Sequence, residues 1–226
     1  IIDKTIENSY GNVLYISSRN TLAMIDKSNF SVLRTSSTAN VIDSLFRSPE
    51  ILYGVERASN SIVQINISSL AFISRTTTFA DGDTFNQPHG ICRVNNNIFV
   101  ADTFNDRVIR FNEDMVFVSS SQIVLSSPTA IVSDGSFVYV FDALNFRIVK
   151  LNMDLNFIAQ SHTNNEVSPQ TSSVGARLIP KLFLTNKHLF SAYRKTSARF
   201  AFTEFDGSYI QMRDKTNLRL LKEIPI

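Results

Sequence analysis

Short runs of apolar, β-forming residues separated by polar turns recur along the whole chain. Ile98-Phe99-Val100-Ala101, Val108 to Phe111 and Met115 to Val118 are three such runs. Thr103 to Asp106 and Asn112-Glu113-Asp114 divide them. Runs of four to six residues rich in Val, Ile and Phe are too short for helices and predict strands. The run at Ile98 is apolar on both alternating faces, so its sheet must be covered on both sides. Small sheets stacked face to face around an axis meet that requirement.

The pattern is also periodic. PHGICRVNNNIFVADTFNDRVIRFNEDMVFV from Pro88 aligns without gaps on PTAIVSDGSFVYVFDALNFRIVKLNMDLNFI from Pro128. Pro88 pairs with Pro128, Asp102 with Asp142, Asn105 with Asn145 and Arg107 with Arg147, all at an offset of 40. An aliphatic residue followed by an aromatic opens a strand at Leu14-Tyr15, Leu52-Tyr53, Ile98-Phe99, Val138-Tyr139 and Leu189-Phe190. Spacings of 38 to 51 residues suit one four-stranded propeller blade each. The expected fold is therefore an all-β propeller of four-stranded antiparallel blades. Five blades are expected in one domain, near 4–35, 40–76, 88–120, 128–160 and 179–213, with 214–226 left as a tail. Within the fifth, Arg199 to Phe205 is expected as the second strand and Tyr209 to Arg213 as the outer one.

Residues 79–118 resemble an NHL repeat: a Pro-x-Gly-Ile start at Pro88, Val-Ala-Asp ending at Asp102, then Asn105-x-Arg107. The segment 128–160 follows the same plan, and the rest of the chain keeps only its skeleton. The resemblance implies a β-propeller. Such rings most often have six blades, so an incomplete or composite six-bladed ring is the alternative.

Composition narrows the chemistry. The 226 residues carry 22 basic and 20 acidic side chains, a net charge of +2. That balance does not suggest a polyanion binder. Some NHL-like propellers read RNA, but here the arginines are interspersed with acids and the aromatics fall at core positions. Nucleic acid is not an expected partner. A single cysteine, Cys92, excludes an internal disulfide and a cysteine zinc site within one chain. No apolar run approaches a membrane span, and the first residues lack a signal-peptide core. A start at Ile1 leaves processing, or excision from a longer protein, open.

Four features invite functional readings. The Asp102/Asn105/Arg107 set and its copy Asp142/Asn145/Arg147 read as architecture rather than catalysis. An Asp ending a strand accepts turn N–H groups, Asn105 suits a left-handed turn residue, and Arg ties strands. His89, at the mouth of an inner strand, is the candidate base or metal ligand in propeller lyases that resemble this repeat. His162 and His188 are too scattered to join it in a metal site. Asp81 and Asp83 flank Gly82 and form at most a weak calcium turn. The polar segment from Ser161 to Arg177, with His162, Asn164, Asn165, Glu166 and Gln170, is the candidate contact loop.

The resulting expectation is a non-catalytic module for protein interaction or assembly, with protein partners and no cofactor. It suits a domain or subunit of a larger surface, secreted or virion protein. The alternatives are a metal-dependent lyase or lactonase, or a carbohydrate-binding propeller with a small ligand near the channel.

Overall fold

The computed structural model describes residues 4–5, 12–18, 20–79, 82–161, 181–196 and 205–225. They form five four-stranded antiparallel sheets, the blades of a β-propeller. Blade one comprises Lys4–Thr5, Val13–Ser18, Thr21–Asp26 and Val32–Ser37. Blade two comprises Ser44–Arg47, Ile51–Glu56, Ser61–Asn66 and Phe72–Thr76. Blade three comprises Ile91–Val94, Asn97–Asp102, Arg107–Asn112 and Phe117–Ser120. Blade four comprises Pro128–Ser133, Phe137–Asp142, Arg147–Asn152 and Phe157–Gln160. Blade five comprises Lys181–Leu184, His188–Thr196, Phe205–Asp214 and Leu220–Pro225. A small hairpin, Thr78–Phe79 with Asp83–Thr84, lies between blades two and three. In every blade the strands pair in chain order, as a meander. In blades two to five the first strands of successive blades approach one another, which places them toward the axis and the fourth strands at the rim.

Residues 214–226 are not the expected tail. Leu220–Pro225 is the fourth strand of blade five, and Tyr209 to Arg213 lies in its third strand. The cause is a turn that every blade repeats. An Asx side chain at the last position of the third strand accepts N–H groups two to four residues ahead and reverses the chain. Asn66 accepts from Ser68 (3.0 Å) and Ser69 (2.9 Å), and Asn112 from Asp114 (3.0 Å) and Val116 (2.9 Å). Asp214 accepts from Thr216 at 2.7 Å in the same way. Of the expected second strand 199–205, residues 199–204 lie outside the described residues.

Four apolar cores hold the blades face to face. One joins blades one and two through Tyr15, Leu22, Leu45 and Leu52. The next, between two and three, contains Tyr53, Ile62, Ile98, Val100 and Phe111. Phe99, Val108, Val140 and Leu151 join three to four, and Tyr139, Ile148, Leu182 and Leu189 join four to five. Leu70, Met115, Leu155 and Leu218 follow the Asx turns with positive φ, each buried against the preceding blade. An apolar residue in a left-handed conformation is strained, and burial of its side chain offsets that strain.

Blades three and four pack closely where their inner strands meet. A Cβ on Gly90 would lie 2.4 Å from the Thr129 carbonyl oxygen and 3.1 Å from the Ile131 nitrogen. Backbone cannot yield as a side-chain tip can. Gly90→Ala should therefore destabilise the protein by about 1–3 kcal/mol. Urea denaturation measures this, and an unchanged midpoint would mean that blades three and four can separate there freely.

Candidate functional site

The carboxylates at the ends of the second strands form the most organised polar clusters. In blade three, Asp102 is fully buried. Its Oδ1 accepts the Asn86 N–H (2.8 Å), and its Oδ2 accepts from Asn105 Nδ2 and Arg107 Nε, both at 2.9 Å. Arg107 continues outward to Asp83 (2.6 Å) and to the Thr84 carbonyl (3.1 Å). One guanidinium thus clamps the second strand to the segment that enters its own blade. Blade four repeats the design. Asp142 accepts from Ser126 N–H (2.6 Å), Asn145 Nδ2 (2.8 Å) and Arg147 Nε (2.7 Å). Arg147 then reaches Gln160 and the Val124 carbonyl.

A third copy, in blade two, escaped the sequence reading. Glu56 stands where Asp102 stands, and it accepts from Ser59 (2.9 Å), Ser61 (3.1 Å) and Asn40 (3.0 Å). No Arg follows at the expected spacing. Instead Arg75, on the fourth strand, reaches Glu56 with Nε at 3.2 Å and Nη2 at 2.9 Å. The signal was an acid in register with two hydroxyls, hidden by one extra methylene and a donor from another strand.

The left-handed residue of these turns is one position later than expected. It is Asp106 (φ 55°), not Asn105, and correspondingly Asn60 (φ 50°) and Phe146 (φ 48°). The preceding three residues, Thr103–Asn105 and Arg57–Ser59, form a 3₁₀ turn, so the reversal falls after them. Asp106 and Asn60 use that geometry across the seam. Asp106 accepts from Ser127 N–H and Asn60 from Gln87 N–H, each at 2.7 Å. Each tie reaches the entry of the next blade.

A second ring of donors runs near the Asx turns. Tyr15 donates to Ile67 O, Tyr53 to Glu113 O and Tyr139 to Lys215 O, always one residue past the next blade's Asx. Blade three has Phe99 at that position, and Arg110 there reaches Met153 O and Asp154 instead. In blade four, Lys150 is buried, donates to Lys215 O and Thr216 O, and lies 4.0 Å from the Phe137 ring centroid. Burial pulls the Lys150 ammonium below its ordinary range. Its surroundings are consistent with a structural lysine packed on an aromatic ring.

The His89 side chain is buried, and its backbone N–H donates to the Ala101 carbonyl at 2.9 Å. His188 packs edge-on to Phe190. Cys92 lies in the core between blades three and four, and burial pushes its thiol far above the usual range. A thiol so held is not a nucleophile. Asp83 is engaged with Arg107, while Asp81 lies outside the described residues. So does the candidate contact loop with His162, Asn164, Asn165, Glu166 and Gln170. Among the described residues, no three His, Cys, Asp or Glu side chains gather as a metal set. No described helix is long and apolar enough to cross a membrane. A shallow groove at the rim, lined by Gln122, Ile123, Leu155, Asn156, Phe157 and Gln160, contains no titratable side chain.

The clusters make stability depend on acid pH. Burial pushes the Glu56 carboxyl up, but Asn40, Ser59, Ser61 and Arg75 outweigh it and hold it below its ordinary range. The Arg107 hydrogen bond holds Asp83 down, and Asp134 is lowered by its donors against burial. These groups stabilise the fold above their unfolded values, and the contribution is lost as pH falls through the lower folded values. Asp102 acts in the opposite sense, because burial raises it despite its donors, so its protonation partly offsets the loss. The melting temperature should decline as pH drops below about 4.5. A melting temperature constant down to pH 3 would contradict this assignment.

No known family and no curated protein matches the sequence. Solved structures do match in fold. The Neurospora crassa Pan2 WD40 domain aligns with TM-score 0.68 at 10% identity, over 99% of this chain and 65% of that one. A streptogramin B lyase aligns with TM-score 0.66 at 13% identity, over 98% and 68%. The Kuenenia stuttgartiensis hydrazine synthase gives TM-score 0.67 at 13% identity, over 91% and 60%. The chain thus spans between 60% and 68% of the length of these three. At such identities the likeness shows the fold alone, and it is that of a β-propeller. This chain is a five-bladed member of that architecture.

Proposed function

We propose that the protein is a non-catalytic, NHL-like propeller that serves protein interaction or assembly. The observation that carries this reading is at the rim. Every blade ends in a fourth strand with exposed apolar side chains on or beside it. They are Val32 and Leu33, Phe72 and Ile73, Val116 and Val118, Phe157 and Ile158, and Leu221 and Ile224. Repeated apolar exposure next to unpaired strand edges is characteristic of contact surfaces. The recurrent Asp–Asn–Arg sets support the reading from the other side. Their charges are engaged in ties between a strand and its blade's entry, a use that suits architecture more than turnover. The Pro88, Asp102, Asn105 and Arg107 pattern supports the NHL-like assignment.

Site-specific photo-crosslinking at Phe72 and Phe157, in the cell that makes the protein, tests this. One discrete protein adduct at rim positions is the expected result. No rim adduct, together with metal-dependent turnover of a lactone that His89→Ala abolishes, would replace this reading with the lyase or lactonase one.

A further inference from the structure

Each of the four cores between consecutive blades uses the same two walls. The wall facing the next blade carries the aromatic of the second strand, as Phe99 does in blade three with Cys92 and Val108. The wall facing the previous blade carries the alternating residues, as Ile98, Val100, Ile109 and Phe111 do, all fully buried. The residue after the Asx turn then plugs the seam from the blade that owns it.

The outward walls of blades one and five break this rule. Antiparallel partners share a face and neighbours along a strand alternate. Leu14 with Ile25, and Ile16 with Ala23, therefore form the wall of blade one that corresponds to Ile98, Phe111, Val100 and Ile109. All four are only half-buried. The plug of blade one is Phe30, in the same left-handed conformation as Leu70, Met115, Leu155 and Leu218. Those four are buried, whereas Phe30 is 74% exposed. On blade five the matching wall contains Phe183, 59% exposed, with Phe190 and Met212 half-buried. No apolar core joins blade five to blade one among the described residues. Two complementary apolar walls thus end the stack.

We propose that these walls are the two sides of a docking slot for one further four-stranded antiparallel sheet, apolar on both faces. Continuity with the four existing seams identifies the occupant. A blade-like sheet would set its previous-side wall on Phe183, Phe190 and Met212. Its aromatic would then cover Leu14, Ile16, Ile25 and Phe30. The centre of the contact on blade five is apolar, since Phe190 and Met212 stand where blade four has the donors Tyr139 and Lys150, while the register puts Lys181 and Lys222 on the same face around it. Burying a set of this kind removes large side chains from water, the main driving force of sheet stacking.

The test uses thiol labelling, because Cys92 is buried and a second thiol reports alone. Phe30→Cys is made in the 226-residue protein and in two fusions, with residues 121–161 or residues 82–121 repeated after Ile226. The introduced thiol should label freely in the parent. In a fusion that fills the slot, labelling should slow by about tenfold or more, with a rise in melting temperature. Carrying Val138→Asp and Val149→Asp in the repeated 121–161 segment should restore fast labelling. Protection already present in the parent would mean that blades one and five close on each other, which overturns the proposal. Protection in the parent that appears only on raising protein concentration assigns the slot to a second copy, and also overturns it. Unchanged labelling and melting in both fusions does the same.

Discussion

Asp102→Ala should lower the unfolding free energy by about 3–5 kcal/mol, the cost of breaking a buried ion pair by removing one partner. The truncation leaves the Asn86 N–H, the Asn105 amide and the Arg107 Nε without their shared acceptor. Arg107 keeps Asp83 and the Thr84 carbonyl, so its charge is not stranded, and the lower half of that range fits best. Asp102→Asn should cost less, because an amide oxygen still accepts and burial already disfavours the charged carboxylate. Urea denaturation of both variants measures the difference. If both unfold like the parent while a binding or catalytic activity disappears, Asp102 is a functional residue and its architectural role is wrong.

Phe111→Ala should cost a comparable 3–5 kcal/mol, for a different reason. Phe111 is fully buried at the centre of an aromatic group between blades two and three. Its ring centroid lies 5.2 Å from that of Phe79, edge-on, and 5.8 Å from that of Phe85. Phe117 adds a further edge contact at 6.3 Å. Truncation removes the apolar area and these oriented contacts, the latter worth about 0.5–1.5 kcal/mol per pair. Phe79 belongs to the small hairpin before blade three and Phe85 follows it, so that connection should loosen with the seam. Hydrogen exchange at 78–79 and 82–86 alongside chemical denaturation tests this. Loss of stability without faster exchange there would show that the hairpin is anchored by Arg107 and Asp83 alone.

The two variants separate the contributions that hold the stack. Apolar walls provide the bulk of the cohesion and are tolerant of partner identity, since Phe, Val, Ile, Leu and Cys all occur in them. The polar ties set which strand end meets which blade entry. This division explains why Asp102 and Asp142 recur with their Asn and Arg partners while the core residues vary in size.

The periodicity of short β-forming runs, through alternation of side-chain faces, determined the all-β blades, their number and most of their strands. It also located Asp102, Asn105, Arg107 and their copies, because a gapless offset of 40 exposes repeated polar residues directly. Other features depend on approach in space. The fourth strand of blade five looked like a tail because LLKEIP lacks a strong apolar alternation. It is a strand because the Asp214 turn folds it back on Phe205–Asp214. Glu56 joined the carboxylate series only when Arg75 arrived from another strand. Phe30, an ordinary apolar residue by sequence, became informative through an exposure that its buried counterparts lack. Sequence records what each strand can bury. Which walls are covered is decided by the neighbours that tertiary packing brings, and by where the stack ends.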